Sequence, residues 1–279
     1  MKREDFELLS GILERRAGLK LSRHKVYLLQ SRLMPVARKF GFKDLDEVAL
    51  LIRRQPDDRL LDDITEAMTS NDSLFFRDIL PFEILREKVL PRLMASRPDR
   101  CIRIWSAACS SGQEPYSICM VLKEQGRKLD GWRVDVVATD LSREMLEKAK
   151  TGLYTQFEVQ RGLPITLIVK YFERAGDRWR IDASIRAMVK FQEFNLLHDP
   201  RPLGRFDVVF CRNVLMHFGQ ATKRKVLEGI AGLLPPDGVL CLGASETVLG
   251  VTNRFHPIPG QRGLYGLADA AVGTQRVAV

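Results

Sequence analysis

Apolar residues recur at three-and-four spacing through the first seventy or so positions. Phe6, Leu9, Ile12 and Leu13 form one stripe, and Val26, Leu29, Leu33, Val36 and Ala37 form a second. That period puts each set on one helix face and predicts two amphipathic helices. Pro35 lies inside the second and is expected to bend or break it, because proline lacks the N–H an interior turn uses. Asp44-Leu-Asp-Glu47 has capping-box spacing and predicts a third helix, and a fourth is expected from about residue 56 to 68 with Pro56 in its first turn. The expectation is a small helical bundle over residues 1–70. The cap and turn formers Thr69-Ser-Asn-Asp-Ser73 then open a linker, residues 71–100, with one more helix over about 81–94.

Beyond residue 100 short apolar runs alternate with helical ones, at 102–106, 113–125, 134–139, 142–150, 206–211, 220–234, 239–243 and 263–267. Such alternation signals an α/β domain over 101–267, an open and mainly parallel sheet with helices on both faces. Arg178-Trp-Arg-Ile181 and Val189-Lys-Phe-Gln-Glu-Phe194 have a different texture and read as short strands of a small antiparallel β insertion. Residues 268–279 offer little to pack and are expected to form a loose tail.

Composition alters this picture in one place. With 45% hydrophobic and 28% charged residues the 279-residue chain is of ordinary globular type. No apolar run approaches the roughly 20 residues of a membrane span, and the start lacks a secretion-signal layout. A cytoplasmic protein without membrane insertion is expected. The five cysteines are scattered and read as reduced, and the four histidines show no ligand spacing, so no metal site is expected. The net charge of +9 is uneven: nine basic residues and no acidic one occur from Arg15 to Lys43. A block of that kind favours a polyanionic partner, whether nucleic acid, an anionic membrane or an acidic protein surface.

The candidate chemistry begins after the first α/β strand. Ala107-Ala-Cys-Ser-Ser-Gly112 is a run of small residues entering a helix, where a ligand can approach the backbone and its free N–H groups. The dinucleotide signature G-x-G-x-x-G is absent. Val134-Asp-Val-Val-Ala-Thr-Asp140 ends in an acidic residue, at the place where a doubly wound sheet holds ribose hydroxyls. A nucleoside site without a phosphate site fits S-adenosylmethionine (SAM), with other adenosine ligands as alternatives. Asn195, and Arg212 with Asn213, fall at later strand ends on the same rim, although an isolated Arg or Asn there also serves as an ion-pair partner or turn cap. Asn71-Asp-Ser-Leu-Phe-Phe-Arg77 reads either as a helix start feeding Phe75 and Phe76 to the core or as a lid carrying Arg77.

Six segments together resemble the chemotaxis receptor protein-glutamate methyltransferases, the CheR family, from about residue 4 to 267. They are Thr69-Ser-Asn-Asp-Ser-Leu-Phe-Phe-Arg-Asp78, Trp105-Ser-Ala-Ala-Cys-Ser-Ser-Gly-Gln-Glu-Pro-Tyr-Ser117, Ala138-Thr-Asp-Leu141, Phe194-Asn-Leu-Leu197, Phe206-Asp-Val-Val-Phe-Cys-Arg-Asn-Val214 and Leu242-Gly-Ala-Ser-Glu246. The resemblance implies a Rossmann-like SAM-dependent methyltransferase domain behind a helical domain, with the β insertion near 168–192. It also implies cofactor contacts at Asn71, Ser73, Arg77, Glu114, Asp140, Asn195, Leu196, Arg212 and Asn213, with S-adenosylhomocysteine as product. Asp140 is then expected at the ribose, Asn195 and Leu196 near the adenine, and Arg77 at the methionine carboxylate and the transfer site. His217 stands where the family usually has tyrosine and is a candidate assistant to Arg77.

The implied acceptor is a glutamate carboxylate on receptor cytoplasmic helices. The basic second helix acquires a role in docking those helices through Arg23, Lys25, Arg32, Arg38 and Lys39. The short turn around Gly176 departs from members that dock on a receptor's C-terminal tether peptide, so no tether is expected to be needed. A monomer recruited to receptors is expected, with no nucleic-acid partner. Two alternatives are a SAM enzyme of another substrate class and a relative that binds without catalysis.

Overall fold

Helix ends in this chain follow its capping residues. The computed structural model describes residues 1–69 and 71–268, so the tail expected at 269–279 lies outside the described residues. In α1 (Arg3–Ala17) the chain leaves the helix through Gly18 at φ 71°, whose N–H returns to the Glu14 carbonyl. After α2 (Val26–Lys39), α3 (Leu45–Arg54) starts at Asp44, which accepts the N–H groups of Asp46 and Glu47. Glu47 caps the N–H of Lys43 and not that of Asp44, so the reciprocal half of a capping box is displaced by one residue. In α4 (Asp58–Met68) the cap is Asp57. Pro56 therefore lies outside the helix and not in its first turn, because the Asp57 carboxylate already satisfies first-turn donors. Pro35 sits inside an unbroken α2; it and Ser31 are exposed, so solvent can satisfy the carbonyl left without a donor.

The chain divides into two units. The first is Met1–Ser70 together with His217–Lys223. Leu9, Leu13, Leu29, Leu33, Leu60 and Ile64 are its fully buried centre. The distant segment 217–223 joins it through a Leu19–Phe218 bridge and a 2.9 Å bond from the Lys20 N–H to the His217 carbonyl. Gly18 is required there, because a Cβ at that position would lie 2.9 Å from the Phe218 ring.

The second unit holds Asn71–Met216 and the chain from Arg224 onward. The linker helix appears as α5 (Leu80–Ile84) and α6 (Leu90–Ser96), joined by one wide turn. Then follow β1 (Cys101–Ala107), α7 (Gln113–Glu124), β2 (Arg133–Asp140), α8 (Arg143–Thr151), β3 (Leu153–Thr155), α9 (Gln156–Gln160) and α10 (Ile165–Tyr171). The rest comprises β4 (Phe172–Ala175), β5 (Arg178–Ile181), α11 (Ala183–Arg186), β6 (Val189–Glu193), β7 (Val208–Cys211), α12 (Gln220–Ala231, whose residues 220–223 belong to the first unit), β8 (Val239–Leu242), β9 (Phe255–Pro257) and β10 (Leu264–Leu267). The main sheet runs β6-β2-β1-β7-β8-β10-β9. Its first five strands are parallel, and β10 is antiparallel to β8 and β9.

The antiparallel insertion is the three-stranded sheet β3-β5-β4. It begins at Leu153, earlier than expected, and it does not include residues 189–193. Those residues form the outermost parallel strand of the main sheet. They alternate because an edge strand is covered less completely than a central one, so its period resembles that of a half-exposed antiparallel strand. Strands β7 and β8 are wholly buried and read as continuous apolar runs, and β1 is buried from Ile104 to Ala107.

Candidate cofactor and methyl-transfer site

The turn after β1 is shaped by strained and small residues. Ala108 and Ser110 have φ of 61° and 50°, and Gly112 has φ 91°. A Cβ at Gly112 would meet Ala149 at 2.9 Å, so helix α7 can start so close to α8 only with glycine there. Asp140, at the end of neighbouring β2, braces the turn. One carboxylate oxygen accepts the Ser110 N–H at 2.7 Å and the other the Ser142 N–H at 2.9 Å.

Segment 71–79 is fixed to the same turn. The Ser110 hydroxyl donates to the Asn71 carbonyl at 3.0 Å, and the Phe76 N–H donates to the Ser117 hydroxyl at 2.9 Å. Phe75 is fully buried, edge-on to Tyr154 and Phe172. The Phe75 ring enters the core and Phe76 packs against it partly buried, while Arg77 stays partly exposed. The Arg77 guanidinium donates to the Asp72 carbonyl at 3.0 Å and lies 3.8 Å from the Asp72 carboxylate. Phe76, Asp78 and Ile79 all have positive φ, 49°, 67° and 48°. That is a costly stretch for residues other than glycine, and it persists only where neighbours hold it.

Arg212 is the principal holder. Its guanidinium donates to the Arg77 carbonyl and the Asp78 carboxylate, both at 2.7 Å, and to Glu114 at 3.0 Å. The side chain is 1% exposed and its Nε has no partner among the described residues. Burial works against the Arg212 charge, but Glu114 foremost, with Asp78, outweighs it and holds the pKa above its ordinary value. Burial pushes the Glu114 carboxyl up, against the opposing pull of Arg212 and of the Ser106 hydroxyl, which donates at 2.8 Å. Asn213, at φ 60°, gives its N–H to Glu246 at 2.7 Å. Glu246 also accepts from Gly243 and Met216. Asn195 follows β6 and accepts the Leu197 N–H at 3.0 Å. Leu196 lines a cavity of about 410 Å³ with Trp105 and Phe194.

This donor set fits SAM. Small residues line the approach, the Asp140 carboxylate faces the turn, and the unpartnered Arg212 Nε supplies a buried donor. A pyrophosphate would meet the buried Glu114 carboxylate in the first turn of α7, where phosphate sites need uncontested N–H groups. Burial raises the Cys109 and Cys211 thiols well above their ordinary range, which removes them as nucleophiles.

Asn71, Ser73, Arg77, Glu114, Asp140, Asn195, Leu196, Arg212 and Asn213 all belong to the second unit, whereas His217 belongs to the first. Three of the five docking residues are engaged within the first unit. Arg23 pairs with Glu7, Lys39 with Asp63 at 2.6 Å, and Arg32 donates to the Met68 and Thr69 carbonyls at 3.2 and 2.8 Å. Lys25 and Arg38 are exposed. Sequence reasoning missed Asp78, Ser106, Ser110 and Glu246 as parts of the site. Glu246 carried a usable signal, because it stands four residues past the end of β8 on the same carboxyl rim.

Residues 71–264 match the family described as CheR methyltransferase, SAM binding domain, and residues 4–69 match CheR methyltransferase, all-alpha domain. The chain is similar to chemotaxis protein methyltransferase Cher2 of Pseudomonas putida, 42% identical over 264 residues, 93% of this chain and 96% of that one. Chemotaxis protein methyltransferase 1 of Pseudomonas aeruginosa is also 42% identical, with the same coverage. A chemotaxis protein methyltransferase of Vibrio parahaemolyticus is 39% identical over 258 residues, 91% of this chain and 93% of that one.

Proposed function

Because this chain belongs to the CheR family and is a SAM-dependent methyltransferase, we propose that its acceptors are glutamate carboxylates on the cytoplasmic helices of chemotaxis receptors, which become glutamate methyl esters. The observation that carries this reading is Arg77, whose backbone carbonyl is held by the buried Arg212 and whose partly exposed guanidinium is held by the Asp72 carbonyl. A positioned cation suits an anionic acceptor.

When bound, SAM supplies a methyl group on a positively charged sulfur. That methyl would pass to an acceptor oxygen, the carbon–sulfur electron pair remaining on a sulfur that would become neutral. No proton moves. A glutamate with a reference pKa of about 4.3 is already ionised at neutral pH, so no general base is required. The chain must instead align the reactants and strip water from the carboxylate. Arg77 would orient the acceptor by its charge, Asp140 would hold the ribose hydroxyls, and Asn195 and Leu196 would border the adenine. The Glu114–Arg212–Asp78 bridge keeps Arg77 in register with that cofactor.

No receptor tether is required. The β4–β5 hairpin closes at the Ala175–Arg178 pair, leaving only Gly176 and Asp177 in its turn. Among the described residues no helix is long and apolar enough to cross a membrane. The protein acts as a monomer in the cytoplasm and reaches receptors through the exposed basic side chains Lys25 and Arg38, with Arg23, Arg32 and Lys39 beside them. Labelled SAM offered to a receptor cytoplasmic fragment, to the same fragment lacking its C-terminal residues, and to RNA tests the reading. Base-labile label on both fragments and none on RNA is expected; label on RNA, or on neither fragment, refutes it.

A further inference from the structure

Phe157, Ile165 and Val169 stand 66%, 76% and 79% exposed. Ile165 and Val169 are four residues apart in α10 and so share one face. Leu167 and Ile168 of the same helix turn inward and pack on the core. Single apolar side chains on a surface are ordinary, but two large ones on one face of α10, with a third on the helix that precedes it, mark an interaction site.

The group borders the segment that carries Arg77. The Phe157 ring lies under the Arg161 guanidinium at 5.4 Å, and Arg161 reaches the Asp72 carboxylate at 3.6 Å. Gly162, at φ 92°, is seated against segment 71–79, since a Cβ there would stand 2.0 Å from the Phe75 carbonyl oxygen. Ile165 is three residues further, a reach of at most about 10 Å. Cations stand at its edge, since the Arg161 and Arg77 guanidinium groups lie 3.6 and 3.8 Å from the same Asp72 carboxylate, two positive charges against one negative. An apolar patch with an excess of positive charge at its edge matches an amphipathic helix whose polar side is acidic.

We propose that Phe157, Ile165 and Val169 form an acceptor-docking surface that takes the apolar stripe of an acidic amphipathic helix and sets its glutamate before Arg77. This rests on the receptor-glutamate reading above, and it adds a contact outside the basic helix α2. The Ile165→Ser/Val169→Ser variant tests it in steady-state methylation of a receptor cytoplasmic fragment. The expected result is a KM for the fragment raised about tenfold, from lost apolar burial, with kcat, SAM affinity and melting temperature unchanged. The Ile165→Leu/Val169→Ile variant should keep the original KM.

An unchanged KM in the serine variant overturns the proposal, and so does a rise accompanied by weaker SAM binding or a lower melting temperature. If sedimentation shows a dimer that the serine variant dissociates while KM holds, the face is a contact between copies of this chain and the proposal fails. An unsubstituted protein that methylates no receptor fragment overturns the acceptor reading and the docking surface with it; a normal rate in both proteins removes the surface alone.

Discussion

Arg212 is held in two directions at once, toward Glu114 beneath the cofactor turn and toward the Arg77 carbonyl and Asp78 on the covering segment. Lysine has one nitrogen and cannot span both, and methionine fills the space while leaving Glu114 buried without a counter-charge. Arg212→Met is expected to destabilise the protein by about 3–5 kcal/mol, as for other buried ion pairs cut on one side, and to weaken SAM binding at least tenfold. Urea unfolding and calorimetric titration measure the two effects, and the Glu114→Gln/Arg212→Met pair should regain part of the stability. An unshifted midpoint in the single variant would remove the strut role. At this scale the sequence placed Arg212 and Asn213 at a strand end but left a surface ion pair equally open. The burial of the guanidinium, and its hold on a residue at the far end of the chain's order, depend on strands meeting in space.

Helix α2 was legible from its apolar stripe, and its core positions Leu29, Leu33, Val36 and Ala37 are buried. The functions of its basic residues were not legible, because charge says nothing about partner. Arg32 lies against the end of α4 and supplies donors to carbonyls that a helix terminus leaves free. Arg32→Ala should therefore cost about 1 kcal/mol of stability, read in a thermal melt, and the loss should appear without any receptor present. Lys25→Glu/Arg38→Glu, at exposed positions, is expected to raise the KM for a receptor fragment severalfold at low salt while SAM affinity and melting temperature hold. Equal KM values would remove α2 from docking. Strand β6 was misread at this same scale, since alternation reports how much of a strand is covered and not which sheet it joins.

Across the second unit, Arg97 ties the end of α6 to the amino ends of two strands. It donates to Asp207, just before β7, and to Asp237, just before β8, each at 2.8 Å. Asp207 also accepts the Arg103 N–H of β1 at 2.8 Å. The bond from Arg97, its charge and the Ser96 hydroxyl lower the Asp237 pKa from its ordinary 3.8 despite burial. A carboxyl depressed in the folded state adds stability that is complete above its unfolded pKa and is lost as pH falls through the folded one. Asp237 is about one-third exposed, so Asp237→Asn should cost about 1 kcal/mol near neutrality. The gap in unfolding free energy from the parent should close as pH drops below about 4. A gap constant down to pH 2 would contradict the sign. Local periodicity and strand-end placement determined the class of fold, the nucleoside turn ending in Asp140 and, through ordered motifs, the methyltransferase family. Tertiary structure alone decided that residues 217–223 join the helical unit, that Arg32 caps a helix, and that Asp78, Glu114 and Arg212 build one network. The reason is physical: side-chain period depends on neighbours in the chain, whereas a strand order such as β2-β1-β7 joins rims whose residues are far apart in sequence and whose contacts leave no local pattern.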